Sequence, residues 1–196
     1  MIKKICALAI ACVMPSLYAE TSCAWLEIKP GYFFFSNHTL RKIYHHGGFE
    51  IQGSASYQLW EMLALYGSLG YLHVNGKSLQ GDQKTSIFQI PLDVGLRAIA
   101  DFDECIKGYL SIGPRFFYFH QHNDSTYVNR NIHRGGVGFF LNGGCNFIKN
   151  DRFLLGVFGE YAFERESFKS KIPNVYGIPN VQIGGFTFGA SVGFVF

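Results

Sequence analysis

The segment 183–196, IGGFTFGASVGFVF, alternates between bulky apolar and small side chains. One parity carries Phe186, Phe188, Ala190, Val192, Phe194 and Phe196, and the other carries Gly185, Thr187, Gly189, Ser191 and Gly193. Since successive side chains of a β-strand leave opposite faces, this period of two predicts a strand with one apolar face and one nearly bare face. In a soluble sandwich a second protein layer buries such an apolar face, whereas in a transmembrane barrel lipid covers it.

Residues 1–19 have the three regions of a secretory signal peptide. Two lysines precede an apolar run from Ile5 to Met14, and small residues lead to Ala19. The run is shorter than the about 20 apolar residues that a membrane-crossing helix needs. We therefore expect cleavage after Ala19 and a single mature domain at 20–196. A strand crosses a bilayer with only about 9 to 11 residues, so any membrane insertion is expected to use strands.

Composition agrees with strands that face lipid on one side. The chain has 23 glycines, 20 phenylalanines and 11 tyrosines, yet its mean hydropathy is only +0.09. A helical membrane protein is far more hydrophobic, whereas glycine-rich, aromatic chains of intermediate hydropathy are typical of barrels. After cleavage, Cys23, Cys105 and Cys145 remain. Because this number is odd in an oxidising compartment, one thiol is expected to stay free or to pair with another molecule.

Seven further segments show the same alternation as the last one. They are Trp25–Phe35, Phe49–Leu59, Leu63–Val74, Thr85–Ala100, Cys105–Phe119, Gly135–Phe147 and Phe153–Phe163. Long polar loops at 36–46, 75–84, 120–134 and 164–182 alternate with short turns at 60–62, 101–104 and 149–152. This rhythm predicts an all-β fold, an eight-stranded antiparallel up-and-down transmembrane β-barrel whose closure removes the sheet edges. Pro91 lies within one segment, where we expect a bulge.

Charged residues on the inward parity form a balanced set. They are Glu27, Lys29, Glu50, Asp93, Arg97, Lys107, Arg115 and Glu160, four of each sign. Buried charges persist when they are paired, and the interior of an eight-stranded barrel is just wide enough for its own side chains. We therefore predict a lumen charge network that fills the barrel and leaves no wide aqueous pore.

The long loops are basic, whereas the short turns are acidic. Candidate anion-binding residues in the loops are Arg41, Lys42, Lys84, Arg130, Arg134, Arg165, Lys169 and Lys171, and all seven histidines fall at the same end. One-sided positive charge attracts anions, such as lipopolysaccharide phosphates or sulfated host glycans. A solvated loop surface over anionic lipid, without a specific ligand, explains the same charges more simply.

One cluster combines the residue types of nucleophilic catalysis, namely His120, His122, Asp124 and Ser125 in HQHNDS. Adjacent positions on a loop do not define a triad, so no catalytic residues are predicted. His45 with His46, or His120 with His122, could ligate a metal. A third ligand at usable spacing is not evident, so neither a metal nor a cofactor is predicted.

By its leader, its eight amphipathic segments, its loop rhythm and a final strand that ends in Phe, the chain resembles the small bacterial outer-membrane β-barrels. This family is typified by OmpX, the OmpA membrane domain and the OmpW group. In the family, terminal aromatic residues, here Phe194 and Phe196, resemble the signal read by the barrel assembly machinery. The resemblance implies a bacterial outer-membrane location with both termini periplasmic.

The same resemblance implies a set of partners and a function. The partners are outer-membrane lipid, lipopolysaccharide, and a host glycan or protein, and no nucleic acid is expected. The implied function is a non-enzymatic, adhesin-like surface barrel whose loops contact the envelope or a host. Two alternatives stay open: a narrow OmpW-type channel for small or apolar solutes and, third in order, a lipid A modifying enzyme.

Overall fold

The computed structural model describes residues 24–78, 83–103, 105–124, 131–149, 152–168 and 178–196, with backbone alone at 166–168 and 178–180. The predicted signal peptide, its cleavage site and Cys23 lie outside the described residues, as do Arg130, Lys169 and Lys171.

Eight antiparallel strands form a closed barrel. Their bounds are β1 (Ala24–Phe35), β2 (Gly47–Trp60), β3 (Leu63–Lys77), β4 (Lys84–Asp103), β5 (Ile106–Asn123), β6 (Asn131–Lys149), β7 (Phe153–Phe163) and β10 (Gly185–Val195). Each strand pairs with its neighbours in the chain, and β10 closes the ring by pairing with both β7 and β1. The predicted eight-stranded up-and-down barrel is confirmed.

Two small elements lie between barrel strands. Helix α1 (His38–Ile43) follows β1, and the Asn37 side chain caps it by accepting hydrogen bonds from the backbone N–H groups of Thr39 and Leu40. A ribbon of β8 (Arg165–Phe168) and β9 (Ile178–Gln182) separates β7 from β10. Within the described part of the chain, no helical segment has the length and apolar character that crossing a membrane requires.

Both ends of the described chain meet at one end of the barrel. Ala24 N donates to Phe196 O at 3.0 Å, and Phe196 N donates to Ala24 O at 2.9 Å. The two- and three-residue turns lie at this end, which we call the turn end. Helix α1, the β8–β9 ribbon and the remaining connections lie at the opposite end, the loop end.

The barrel is apolar outside and polar inside. Large apolar side chains that are exposed on the outer face include Ile28, Ile51, Leu69, Leu92, Ile112, Phe139, Val157 and Phe188. The inward parity carries polar and charged groups, and Arg97 and Arg115 are 0% and 1% exposed. An apolar exterior that continues around every barrel strand far exceeds the patches found on soluble monomers. Lipid is the solvent that suits such a surface, so the fold is that of a transmembrane barrel.

The lumen is layered along the barrel axis. On β1 the inward side chains read Trp25, Glu27, Lys29, Phe33 and Phe35 from the turn end to the loop end. An apolar cluster at the turn end contains Trp25, Ala64, Ile99 and Leu154. A second apolar cluster towards the loop end contains Phe33, Phe35, Tyr44, Leu72, Val74, Ile87, Phe117, Phe119 and Ile183. The charged layer lies between these two apolar layers.

Tyr44 follows α1, and its side chain extends into the lumen of the barrel. Its side chain is fully buried in the apolar cluster towards the loop end, and its hydroxyl lies 3.1 Å from Thr85 Oγ1. Burial raises the pKa of the Tyr44 hydroxyl to about 12, so this group stays protonated. The connection at 36–46, predicted to be a polar loop, therefore contains a short helix and an aromatic side chain that covers the lumen.

The strands near the loop end are longer than predicted. Strand β5 continues to Asn123 and β6 begins at Asn131, so most of the predicted loop at 120–134 is paired strand. Above the membrane a strand needs no lipid-facing apolar residues, so its sequence reads as a polar loop. His120, His122 and Arg134 are consequently strand residues.

The bulge expected at Pro91 is wrong. The β3–β4 register is the same on both sides of Pro91, and Pro91 is itself the partner of Phe117 on β5. A Cβ added to Gly70 on β3 would lie 2.7 Å from Pro91 Cγ. The glycine therefore leaves room for the proline ring, and the sheet continues through it.

Candidate functional site

Arg115 is the centre of the charged layer in the lumen. Its Nε and Nη2 atoms donate to the two carboxylate oxygens of Asp93 at 2.6 and 2.7 Å. Nη2 also donates to Glu160, and Nη1 lies 3.5 Å from Glu164 Oε1. One buried guanidinium thus holds three carboxylates, one on β4 and two at the end of β7, and its contact with Asp93 has the bidentate geometry that makes arginine–carboxylate pairs strong.

Arg97 forms a second ion pair nearer the turn end. Its Nη1 atom donates to Glu27 Oε2 at 2.8 Å, and its Nε atom donates to Ser111 Oγ at 3.1 Å. The guanidinium carbon lies 4.1 Å from the ring centre of Tyr109 and 4.5 Å from that of Tyr66. The aromatic rings therefore stabilise the charge by cation–π contact where water is excluded.

Lys29 sits between the two arginine clusters. Its ammonium donates to Asn142 Oδ1 at 3.2 Å and lies 4.7 Å from the ring centre of Phe158. The rings of Tyr66 and Tyr109 are 5.5 and 5.3 Å away. An amide and three rings thus surround this cation.

Glu50 is held by neutral donors. Thr187 Oγ1 donates to its Oε2 at 2.6 Å, and Gln52 Nε2 donates to its Oε1 at 3.1 Å. The same Gln52 amide donates to Glu160 Oε1 at 3.0 Å, so one side chain bridges two carboxylates. Asn142 Nδ2 donates to the other oxygen of Glu160 at 2.9 Å.

Together these bonds connect all eight barrel strands. Ser68 on β3 donates to Asp93, Asn146 on β6 donates to Glu27, and Ser191 on β10 donates to Asn146. The contacts described above supply β1, β2, β4, β5 and β7. The network therefore holds the barrel closed from inside.

The structure brings together seven of the eight charged residues that were predicted to face the lumen. Lys107 is the exception, because its ammonium pairs at 3.0 Å with Asp101 near the rim of the turn end, where both side chains are partly exposed. Glu164, predicted to be a loop residue, is fully buried in the network. It continues the inward parity of Glu160 and Ala162 beyond the end of β7, and this signal could have identified it.

Because the network contains Glu164 and lacks Lys107, the charge balance of the lumen differs from the prediction. The network holds the carboxylates of Glu27, Glu50, Asp93, Glu160 and Glu164 and the cations of Lys29, Arg97 and Arg115. Carboxyl groups therefore outnumber cationic groups by five to three in this layer, which differs from the predicted four of each sign. Hydrogen bonds from Gln52, Gln89, Asn142, Asn146 and several hydroxyls satisfy the carboxylates in place of further cations.

The basic candidates that the structure describes are spread around the loop end. Lys42 is exposed on α1, Lys84 and Arg134 are exposed on β4 and β6, and Arg165 is exposed with its guanidinium 4.6 Å from the ring centre of Phe163. Arg41 is half-buried, and its Nη2 lies 3.5 Å from Ser36 O. These residues form a dispersed positive surface and do not converge on one point.

The histidines of HQHNDS lie on the outward parity of β5. The His120 ring stacks on His133 with centres 4.2 Å apart, and the Tyr118 hydroxyl lies 2.9 Å from His133 Nδ1. His122 Nε2 lies 3.3 Å from Asp124 Oδ1, while Ser125 lies outside the described residues. In the described ranges, His, Cys, Asp and Glu form no group of three or more that could hold a metal ion. Cys105 and Cys145 are free and exposed.

A crevice of about 560 Å³ opens at the loop end between β3, β4 and the connection after α1. Lys77, Lys84, His45, His122 and Asp124 contribute to its walls. Lys77 belongs to the same basic loop as Lys84, but it was not among the predicted anion-binding candidates.

The closed ring, the apolar exterior and the filled polar lumen define an eight-stranded transmembrane β-barrel. No model of a protein family matches the chain, and no curated protein matches it. Among solved structures, the chain is similar to the outer membrane protein OprG from Pseudomonas aeruginosa, with a TM-score of 0.71, 11% identity and 90% and 97% of the two chains covered.

Two further solved structures share this fold. The attachment invasion locus protein Ail of Yersinia pestis, in complex with the heparin analogue sucrose octasulfate, has a TM-score of 0.57 and 12% identity over 90% of this chain and 100% of Ail. Neisserial surface protein A has a TM-score of 0.54 and 12% identity over 89% of this chain and 99% of that protein. At sequence identities of 11–12%, these similarities show a shared fold and nothing further.

Proposed function

We propose that the protein is a non-enzymatic barrel of the bacterial outer membrane that binds anionic saccharides of the envelope or of a host through its loop end. The observation that carries this proposal is the lumen, where a charged layer is enclosed between two apolar layers. Because the interior is occupied by its own side chains, the chemistry left for a partner lies at the loop end. In this proposal both termini are periplasmic and the loop end faces outward.

The positive charge of the loop end supports an anionic partner. Lys42, Lys84, Arg134 and Arg165 are exposed there, and charge of one sign raises the rate of association with partners of the opposite sign. Glu164 does not offset this charge, since it is buried in the lumen. Ail was solved with a sulfated saccharide; that ligand belongs to Ail, and it suggests a probe for this protein.

The test is heparin binding by the folded, full mature chain in phosphatidylcholine nanodiscs. The variant Lys42→Gln/Arg165→Gln removes two loop-end charges, and Lys149→Gln/Arg152→Gln removes two exposed charges at the turn end. We expect the wild type to bind at low salt, the loop-end variant to elute at lower salt, and the turn-end variant to behave as wild type. Absence of wild-type binding to heparin and to lipopolysaccharide, or an equal effect of both variants, contradicts the proposal.

A narrow channel is the second candidate, and the excess of carboxylates in the lumen makes it testable. A path through a layer with more negative than positive groups favours cations over anions. Planar-bilayer recording of the wild type is expected to show no reproducible unitary conductance. Cation-selective conductance that Arg97→Ser and Glu50→Gln leave unchanged supports a channel and rejects a lumen closed by its charges.

A further inference from the structure

The walls of the loop-end crevice contain two lysines whose charges oppose each other. Lys77 on β3 and Lys84 on β4 are direct cross-strand partners, and like charges at directly opposite positions destabilise a sheet. In the described part of the chain, no ion pair joins either lysine to a carboxylate. Asp124, which also lines the crevice, is engaged with His122 at 3.3 Å. An anion between the lysines would relieve their repulsion.

His45 reaches the crevice from a strained backbone. His45 and His46 have φ angles of 49° and 78°, a region that residues other than glycine adopt rarely. The hydrogen bond from His46 N to Arg41 O, 2.8 Å long, fixes this bend against α1. The connection after α1 thus holds a polar ring at the wall of the crevice at an energetic cost.

Most residues that line the crevice lie on the outward face of the barrel, although Gly76 and Thr85 belong to the inward parity. Lys77, Lys84 and His122 continue the outward parity of β3, β4 and β5. On β3 the outward residues below Lys77 are Asn75, His73 and then Tyr71, and Tyr71 is followed by the apolar exterior. At about 3.3 Å per residue, the lysines lie about 20 Å from Tyr71 along the strand, and a strand tilt of about 35–45° reduces this to about 15 Å along the barrel axis. This height places the lysines above the acyl chains, at the level of the polar headgroups of a leaflet.

The outward residues of the neighbouring strands show the same change from apolar to polar side chains towards the loop end. In the row of His73, the cross-strand partners across the sheet are Phe88, His120 and His133, and in the row of Asn75 they are Ser86, His122 and Asn131. From lipid outward, the exterior of β3–β6 therefore changes from aliphatic to aromatic, then to imidazole, amide and finally ammonium groups. This order matches a leaflet whose lipids carry polar, anionic headgroups.

We infer that the crevice between Lys77 and Lys84 binds a phosphate monoester on the saccharide headgroup of an outer-leaflet glycolipid. The inference rests on the proposed function and names its site and ligand. The two ammonium groups contact the phosphate oxygens, and His45, Ser86 and His122 supply neutral polar contacts around it.

The experiment measures lipid retained by the full mature chain. Nanodiscs of phosphatidylcholine with bisphosphorylated lipid A are compared with nanodiscs that contain the same lipid after phosphatase treatment, and co-purifying lipid A is counted by native mass spectrometry. The variant is Lys77→Gln/Lys84→Gln, and the matched control, Lys149→Gln/Arg152→Gln, removes two exposed basic residues at the turn end. Heat-modified electrophoretic mobility verifies that each variant is folded.

Since each lysine near an anionic leaflet contributes a several-fold gain in affinity, we expect the crevice variant to retain roughly tenfold less phosphorylated lipid A. The control should retain as much as wild type, and removal of the phosphates should abolish the difference. Equal losses in variant and control reject the crevice but leave the proposed function standing if heparin still binds. We expect sucrose octasulfate to displace lipid A from the protein. If the protein binds the octasulfate but retains no lipid A, the inference that the bound phosphate belongs to a lipid is wrong. If the wild type binds neither, both proposals fail.

Discussion

Arg115 and Asp93 face each other directly across strands β5 and β4, and two parallel hydrogen bonds of 2.6 and 2.7 Å join them inside the barrel. Glu160 on β7 and Glu164 just after that strand contact the same guanidinium. This pair therefore connects distant parts of the ring, and the account of a lumen closed by its own charges depends on it.

Replacement of Arg115 should destabilise the barrel strongly. The variant Arg115→Met leaves Asp93, Glu160 and Glu164 without their shared cation, and removal of one partner from a buried ion pair typically costs about 3–5 kcal/mol. Urea unfolding in detergent micelles, followed by tryptophan fluorescence, measures the change in the free energy of unfolding.

The matched control is Lys107→Met, which removes a basic residue of the same inward parity from the rim of the barrel. Its partner Asp101 is 59% exposed, and ion pairs that water reaches contribute at most about 1 kcal/mol. Comparable losses for the two variants would contradict a buried network centred on Arg115.

Closure between β1 and β10 requires glycine at the point where Gly31 and Gly189 are partners. A Cβ at Gly189 would lie 2.1 Å from Pro30 O, which is backbone and cannot move aside alone. The variant Gly189→Ala should therefore lose about 1–3 kcal/mol of stability, seen as a lower temperature for the loss of heat-modifiable mobility. Gly53→Ala is the control, since nothing lies within 4 Å of a Cβ at that outward position. A wild-type transition for Gly189→Ala would show that the seam is looser than described.

The free thiol of Cys105 and a cysteine introduced at the loop end offer a test of orientation. Cys105 is exposed at the turn end, so a membrane-impermeant maleimide should not label it in intact cells until the outer membrane is permeabilised. Asp124→Cys, at the loop end, should be labelled in intact cells. Each thiol is examined with the other mature cysteines replaced by serine. Labelling of Cys105 alone in intact cells would reverse the proposed orientation.

The membrane-embedded part of the fold was predictable because its signal is local. A strand between lipid and a polar lumen must alternate residue by residue, so segments such as 183–196 reveal both their existence and their facing. Parity alone does not give height along the barrel axis. For this reason Lys107 was assigned to the network although it lies at the rim.

Outside the membrane the same signal is absent. The extensions of β5 and β6 carry polar residues on both faces, and α1 is only six residues long, so the sequence pattern predicts loops for both segments. Tyr44 enters the lumen from the connection after α1, and this placement depends on tertiary packing. The pairing of Lys77 with Lys84 depends on the β3–β4 register, which a single sequence does not specify.

The central claim is that lipid solvates the outer parity of the barrel strands, and tryptophan quenching by brominated phosphatidylcholine tests it most directly. In one variant, Trp60→Phe, the remaining Trp25 faces the lumen and is 2% exposed; in another, Ile112→Trp in a Trp25→Phe/Trp60→Phe background, the reporter replaces an outward side chain that is 60% exposed. With lipids brominated at several chain depths, we expect strong quenching at position 112 and weak quenching of Trp25. Equal quenching of the two, or none at position 112, would contradict the account.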